Sequence, residues 1–228
     1  MGFTSYGIRE LTVFGGITLA LACACGVGAW LAAGMTGRLL WGVGGVISLA
    51  LCLLVLSFFR DPERSLPTGT GLIISPADGV VTDIEIVDEP QFIKGKARRI
   101  GIFMSVFNVH VNRNPIHGVV RFLRHEEGRF DAVFTAEAAK GNEKQWTGLE
   151  SDLNPRKLMV CQVAGLLARR IVCPLMIGQP VRQGERFGMI KFGSRLEVYI
   201  PEHVPHSVKV TIGQKTVAGE TLLMECPP

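Results

Sequence analysis

The segment Phe192-Gly193-Ser194-Arg195 places a hydroxyl nucleophile directly after a glycine. Glycine permits backbone conformations and close approaches that other residues resist. If a tight turn strains the Gly193–Ser194 peptide bond, the Ser194 hydroxyl can attack the Gly193 carbonyl and form an ester. A base must take the hydroxyl proton, and donors must hold the developing oxyanion. Elimination from the ester leaves dehydroalanine, which hydrolyses to a pyruvoyl group and ammonia.

Candidate proton-transfer groups lie in the segment Val109-His110-Val111-Asn112-Arg113. The whole chain has five histidines, and histidine is the usual acid or base at neutral pH. A lone histidine is often structural. The asparagine and arginine beside His110 favour proton transfer and anion binding at this point of the chain.

A carboxylate that could orient a histidine lies in Ser75-Pro76-Ala77-Asp78-Gly79. The alternative for Asp78 is turn formation, since Asp-Gly is a common turn dipeptide. For another polar segment, Gly141-Asn142-Glu143-Lys144, a helix stop with glycine as the C-terminal signal is the favoured interpretation.

Two apolar runs precede these segments. No charged residue occurs from Leu11 to Ala33 or from Leu39 to Phe59. A hydrocarbon core of ~30 Å takes about 20 helical residues, so each run is long enough to span it. Only residues 34–38 separate the runs, which predicts a membrane-anchoring helical hairpin over residues 1–60. A cleaved signal peptide, a buried helix pair and a shallow insertion of the first run are the alternatives.

The basic residues around this hairpin predict its orientation. Arg9 precedes the first run, Arg60 and Arg64 follow the second, and Arg38 alone lies in the turn. The positive-inside rule therefore places both ends of the hairpin, and the domain that follows, on the cytoplasmic face of the cell membrane.

The net charge of +4 is too small to indicate a nucleic-acid-binding protein. Cys161, Cys173 and Cys226 are widely spaced and form no Cys-x-x-Cys pair. We interpret them as reduced thiols, which predicts neither a disulfide framework nor a metal site.

Residues 61–228 read as an α+β domain that is mainly β. One helix is expected at about Phe130–Ala139, which is rich in alanine. Val181–Glu185 and Val217–Glu220 are weakly similar in sequence. Gly-Glu turns of this kind are typical of lipoyl-like hairpins. Short runs rich in valine and isoleucine predict strands at Val80–Val87, Arg99–Val106, Gly118–Leu123, Leu158–Val163, Arg195–Ile200 and Val208–Ile212.

Taken in order, these segments resemble the short, archaeal-type form of the phosphatidylserine decarboxylase proenzyme, a pyruvoyl-dependent family. The resemblance runs from about Phe58 to Glu225. It includes Ser-Pro-Ala-Asp-Gly at 75–79, Val-His-Val-Asn-Arg at 109–113 and Ala-Gly-Leu-Leu-Ala-Arg-Arg at 164–170, and the Gly193–Ser194 pair falls at the family's cut. Longer relatives carry Leu-Gly-Ser-Thr there and a second histidine where this chain has Arg113.

The resemblance implies a catalytic domain, 61–228, that cleaves itself between residues 193 and 194. The two resulting chains would stay together as a heterodimer, and a higher oligomer is left open. The cofactor would be a pyruvoyl group derived from Ser194, with neither metal nor nucleic acid involved. The reaction would be decarboxylation of phosphatidylserine to phosphatidylethanolamine in membrane lipid, with proton transfer by His110 and orientation of His110 by Asp78. Arg113 and Arg195 are candidate ligands of the lipid phosphate.

Two other classes of protein compete with this prediction. A non-catalytic membrane-anchored lipid-binding or carrier domain could use Lys191, since Met189-Ile190-Lys191-Phe192 faintly resembles a biotin-receiving hairpin. A zinc hydrolase could use His203 and His206, although two histidines without further clustered ligands favour an ordinary loop.

Overall fold

The computed structural model describes residues 2–131, 133, 135, 139–166, 170–191 and 193–227. Contacts divide the chain into two units, Met1–Pro62 and Glu63–Pro228. The first unit contains two long helices, and the second is built from strands.

The first unit is a helical hairpin. Helix α1 spans Ile8–Leu31 and helix α2 spans Met35–Phe58, with a 3-10 turn at Ser5–Gly7 before α1. Strands β1 (Gly2–Phe3) and β2 (Arg60–Asp61) pair antiparallel. The two ends of the hairpin therefore lie together, as the two apolar runs predicted.

Both helices are long and apolar enough to cross a membrane. Small residues bring them close together. A Cβ on Gly28 would overlap the indole ring of Trp41, and the Cys52 thiol lies 3.8 Å from the backbone oxygen of Gly15. Close backbone approach at small residues is a common way for helices to associate in lipid.

The second unit contains fourteen described strands, and every pair among them is antiparallel. The strands are β3 (Leu72–Ile74), β4 (Gly79–Glu89), β5 (Gly95–Met104), β6 (Val111–Arg113), β7 (Gly118–Glu126), β8 (Lys144–Glu150), β9 (Lys157–Ala164), β10 (Ile171–Val172), β11 (Pro180–Val181), β12 (Arg186–Ile190), β13 (Ser194–Pro201), β14 (Ser207–Val208), β15 (Lys215–Thr216) and β16 (Leu222–Glu225).

These strands form one large sheet and two small ones. The eight-stranded sheet has the order β11-β7-β8-β9-β13-β5-β4-β15, and the three-stranded sheets have the orders β10-β12-β6 and β14-β16-β3. The predicted α+β, mainly β class with an N-terminal apolar hairpin is confirmed. Half of the helix predicted at Phe130–Ala139 falls on residues outside the described part of the chain.

Five of the six predicted strands are confirmed, since each predicted run overlaps a strand of the structure, although β5 ends at Met104 and not at Val106. The sixth, Val208–Ile212, is wrong beyond Val208, where β14 ends. Eight of the fourteen described strands were not among the six predicted, and β8 and β12 are the two longest of these. Strand β8 carries polar residues and Gly148, and β12 carries Gly188, so neither shows a run of β-branched residues.

The second unit is an internal duplication. Strands β6–β12 form one uninterrupted copy, and β3–β5 together with β13–β16 form the other. If each strand is replaced by its counterpart in the other copy, the eight-stranded sheet keeps its order, read in reverse. The two three-stranded sheets exchange places.

Corresponding backbone contacts agree closely between the copies. The N–H of Val81 donates to Gln214 at 2.9 Å, and the N–H of Val120 donates to Gln179 at 2.9 Å. A bulge follows each of these valines. The turns of the two weakly similar segments also match, with φ of +77° at Gly184 and +83° at Gly219.

The duplication explains where the candidate cleavage bond lies. In the uninterrupted copy, residues 151–156 connect β8 directly to β9. The other copy is interrupted where β5 ends at Met104. The chain then forms the whole uninterrupted copy, β6–β12, and returns to the interrupted copy at Ser194. The bond between Gly193 and Ser194 is therefore the junction between the two copies.

Candidate active site

Strand β13 begins at Ser194 and is fully buried along its length. Ser194 lies opposite Met104 of β5 on one side and Ala164 of β9 on the other. Its side chain is completely inaccessible to solvent, and its Oγ lies 3.4 Å from Sδ of Met104. A serine in this position is shielded from water and held beside the peptide bond that precedes it.

Gly193 adopts a backbone conformation that glycine permits and other residues resist. Its φ is +59°, in the left-handed region that side chains with a Cβ rarely adopt. Its carbonyl oxygen packs against Gly165, where an added Cβ would overlap that oxygen. Both glycines are therefore needed for the observed path of the backbone around the candidate bond.

His110 is fully buried at the end of the loop that leaves β5. Its Nδ1 lies 2.9 Å from the backbone oxygen of Asn108. Because a carbonyl can only accept, this contact assigns the proton to Nδ1, and Nε2 is the basic nitrogen of the neutral ring. Strand β6 starts at the next residue and pairs Val111 with Met189, five residues before Ser194. This pairing places the segment after His110 beside β12, the strand that precedes Ser194, and a contact between His110 and Ser194 stays a prediction.

A buried polar chain reaches the same methionine as Ser194. Gln162 donates from Nε2 to Oδ1 of Asn112 at 2.9 Å, and Nδ2 of Asn112 lies 3.9 Å from Sδ of Met104. Both polar residues are inaccessible to solvent. Neither Gln162 nor Met104 was predicted to belong to the site. A glutamine inside the otherwise apolar strand Lys157–Ala164 was the available signal.

Asp78 lies in the turn between strands β3 and β4. Its carboxylate forms an ion pair with Arg64 at 2.9 Å and accepts the N–H of Ala218 at 2.8 Å. These partners fix the carboxylate between two turns of the fold. Its predicted role in orienting His110 stays a prediction.

Comparison with known proteins decides the family. The family model described as phosphatidylserine decarboxylase matches residues 51–224. The chain belongs to the phosphatidylserine decarboxylase family. A phosphatidylserine decarboxylase proenzyme from Chlorobaculum tepidum is 47% identical over 79% of this chain and 83% of that protein. Those from Chlorobium phaeovibrioides and Symbiobacterium thermophilum are 49% and 42% identical, over 77% and 82% of this chain and 79% and 85% of their own lengths.

Arg195 has a different position from the one expected of a phosphate ligand in a phosphatidylserine decarboxylase. Successive strand residues face opposite sides of a sheet, so Arg195 and Ser194 point apart. Its fully buried guanidinium donates to Glu197 at 2.7 Å, to Thr82 at 2.7 Å and to Asp83 at 2.8 Å. All three of these partners lie inside the domain, and a phosphate-binding role for Arg195 stays a prediction.

The charge of Arg195 is maintained inside the domain. Burial opposes the charged form, but the carboxylates of Glu197 and Asp83 outweigh it and raise the pKa of Arg195 above its usual value. Burial and the Glu197 carboxylate also raise the pKa of Tyr199 well above its usual value. Gly101 makes room for this cluster, since a Cβ there would overlap the guanidinium.

Arg113 is almost completely buried and donates from Nη1 to the backbone oxygen of Gly184 at 2.9 Å. This hydrogen bond holds the turn at Gly184, which corresponds to the turn at Gly219 in the other copy. A phosphate-binding role for Arg113 stays a prediction.

The histidines of the predicted zinc alternative lie elsewhere in the fold. His206 contacts the backbone oxygen of Val204 through Nδ1 at 2.7 Å, and His203 lines a cavity of about 470 Å³ with Arg156 and Lys157. Within the described part of the chain, no group of three or more His, Cys, Asp or Glu side chains could hold a metal ion.

Proposed function

We propose that this chain is a proenzyme that cleaves itself between Gly193 and Ser194 and then decarboxylates phosphatidylserine to phosphatidylethanolamine. The observation that carries the proposal is the buried Ser194 hydroxyl beside a left-handed Gly193 whose carbonyl oxygen packs against Gly165. Family membership supports the reaction class, a carboxy-lyase.

Self-cleavage uses only atoms of the chain and one water molecule. Oγ of Ser194 bonds to the carbonyl carbon of Gly193, the peptide C–N bond breaks, and the hydroxyl proton passes to the freed nitrogen through a base. Removal of the Cα proton of Ser194 then expels the Gly193 carboxylate. Water converts the remaining dehydroalanine into the pyruvoyl group and ammonia. The products are chains 1–193 and 194–228, which stay together as a heterodimer.

The pyruvoyl group supplies an electron sink for the pair of electrons released with CO₂. The group would lie at the buried start of β13, where residue 194 is paired with Met104 of β5 and Ala164 of β9. His110 moves protons through Nε2, with Nδ1 held by the carbonyl of Asn108. Asp78 supports that role from the turn that Arg64 and Ala218 fix.

The non-catalytic alternative is not favoured. A carrier domain needs its modified lysine at an exposed hairpin tip, whereas Lys191 is only 6% exposed. A lipid-binding domain without catalysis would need neither the buried serine nor the glycine pair around its preceding bond.

The two apolar helices hold the enzyme at the membrane that contains its substrate, with the catalytic domain on the cytoplasmic face. The test of orientation is digestion of right-side-out and inverted vesicles with an added protease. The catalytic domain is degraded only in inverted vesicles if the orientation is correct, and degradation from the outer face contradicts it.

The decisive experiment is intact mass under denaturing conditions, together with release of CO₂ from carboxyl-labelled phosphatidylserine. Wild type gives two chains, of which the smaller begins with a pyruvoyl group, and it releases CO₂. Ser194→Ala gives one chain and no CO₂, while the control Ser207→Ala, at an exposed serine in β14, behaves as wild type. A single uncleaved wild-type chain in folded, membrane-extracted protein contradicts the proposal.

A further inference from the structure

We propose that Asn142 is a positioning residue for self-cleavage, acting through Ala164 and Gly165 on the carbonyl group of Gly193. The inference rests on the proposed function, because it concerns the geometry of the bond that the proenzyme cuts. It gives a role to the Gly141-Asn142-Glu143-Lys144 segment, which the sequence alone reads as a helix stop.

The side-chain amide of Asn142 is only 3% exposed. Its Nδ2 donates to the backbone oxygens of Ala164 and Asp131, both at 2.8 Å, and its Oδ1 accepts the N–H of Asp131 at 3.2 Å. The amide therefore joins two separate segments, one of which is the end of strand β9.

Asn142 replaces a strand partner at this point. Strand β8 pairs with β9 as far as Lys144 and Val163. One residue further on, the N–H of Ala164 donates to the backbone oxygen of Glu143 at 3.0 Å, and the Ala164 oxygen is satisfied by the Asn142 side chain. Without that donor, a buried carbonyl at the end of β9 would lose its partner, and the residue after it would be less firmly placed.

Ala164 and Gly165 touch the reacting bond from two directions. Ala164 lies opposite Ser194 in the sheet. Gly165 packs against the Gly193 carbonyl, so that an added Cβ would overlap its oxygen and lie 3.0 Å from its carbon. A Cβ would also lie 3.0 Å from a methyl group of Val133, which leaves it little room to move away. The position of residue 165 and that of the scissile carbonyl are thus sterically coupled.

Attack by a hydroxyl needs the reacting atoms about 3–3.5 Å apart and correctly aligned, and a misplacement of about 1 Å reduces rates roughly 100-fold. A change at Asn142 or Gly165 should therefore act on the first chemical step, in which Ser194 attacks Gly193. A change that merely loosened the fold would have no reason to affect that step selectively.

The test compares two variants with two matched controls. Asn142→Asp keeps the shape and the acceptor of the side chain but turns the two donor contacts into oxygen–oxygen repulsion. Gly165→Ala adds the overlapping methyl group. The controls are Asn154→Asp, at an exposed asparagine, and Gly95→Ala, where a Cβ meets nothing within 4 Å.

Each protein is synthesised with a pulse label, and its uncleaved fraction is followed by denaturing mass analysis, with and without hydroxylamine, which cuts an accumulated ester. Near-ultraviolet circular dichroism reports the fold. We expect both variants to fold and to cleave at least ~10-fold more slowly than wild type. Their uncleaved material should resist hydroxylamine because no ester has formed, and both controls should cleave at the wild-type rate.

Cleavage of both folded variants within twofold of wild type overturns the inference, as does accumulation of a hydroxylamine-sensitive ester. Should Asn142→Asp fail to fold, Asn142→Ala, which removes the donor to the Ala164 oxygen without adding repulsion, takes its place in the comparison. Failure of wild type itself to cleave contradicts the proposed function instead, so the two failures are distinguishable.

Discussion

Oγ of Ser194 lies 3.4 Å from Sδ of Met104, directly across the pairing of strands β13 and β5. The amide of Asn112 lies near the same sulfur, at 3.9 Å. A thioether is a weak acceptor, so it can orient the serine hydroxyl without holding it strongly. The nucleophile is therefore placed mainly by packing.

Met104→Leu tests this arrangement. The substitution nearly conserves volume, so its effect on the free energy of unfolding should be below about 1.5 kcal/mol. Cleavage should slow several-fold because the hydroxyl loses its only described hydrogen-bond partner. The measurement is the fraction of uncleaved chain over time. The control is Met159→Leu, at a methionine on β9 that is equally buried. Equal cleavage rates for the two variants would show that the sulfur has no role.

The position of the cut at the junction of two structural copies leads to a second prediction. Cleavage leaves β13 paired with β5 along eight residues and with β9 along six. Strand β16 also remains paired with β3. The chain of residues 194–228 should therefore stay bound to chain 1–193 without any covalent link.

Size-exclusion chromatography of the cleaved, detergent-extracted enzyme checks this. Both chains should elute together in native buffer and separate in concentrated guanidinium chloride. Loss of the smaller chain in native buffer would contradict the prediction.

The cluster around Arg195 should govern stability and not lipid binding. In a Ser194→Ala background, which removes cleavage as a variable, Arg195→Met leaves the carboxylates of Asp83 and Glu197 without their buried partner. Breaking such a pair typically reduces the free energy of unfolding by about 3–5 kcal/mol. The control is Arg121→Met, whose ion pair with Glu150 is half-exposed and worth less than about 1 kcal/mol.

Denaturant unfolding of these variants provides the measurement. A similar small loss for both would show that the buried cluster contributes little. Unchanged stability of Arg195→Met with weaker binding to phosphatidylserine vesicles would restore the phosphate-binding role predicted from sequence.

The sequence predicted the strands well where apolar residues alternate, as in Val80–Val87, because that pattern depends on local chemistry alone. It also predicted the helical hairpin, since an unbroken apolar run has few other solutions. It showed that the segments around Gly184 and Gly219 resemble each other, but it did not predict that they are corresponding turns of a duplicated unit. The copies share backbone contacts more than side chains, and one copy is split in the sequence.

The candidate site was only partly predictable for a related reason. Ser194 and His110 were chosen from residue type, from their neighbours in the chain and from the family resemblance, and their roles stay predictions. The importance of Gly165 depends on what a Cβ would touch, and Arg195 depends on distant carboxylates such as Asp83. Neither relationship has a local sequence signature.

The coupling between Asp78 and His110 can be tested by a double-mutant cycle. Asp78 is bonded to Arg64 and Ala218, so Asp78→Asn removes an ion pair as well as any influence on His110. His110→Gln should reduce the decarboxylation rate by ~100-fold or more, in line with the usual contribution of a general acid or base. If Asp78 acts through His110, the double variant should be no slower than His110→Gln alone.

Arg64→Met separates the two effects of Asp78. It breaks the same ion pair but leaves the carboxylate in place, so its activity measures the contribution of the turn alone. The rates are taken as CO₂ release per pyruvoyl group, with the pyruvoyl content determined by mass, so that slow maturation does not enter the comparison. If the fold-losses in decarboxylation rate of the two single variants multiply in the double variant, Asp78 only stabilises the turn. His110 would then transfer protons without help from Asp78.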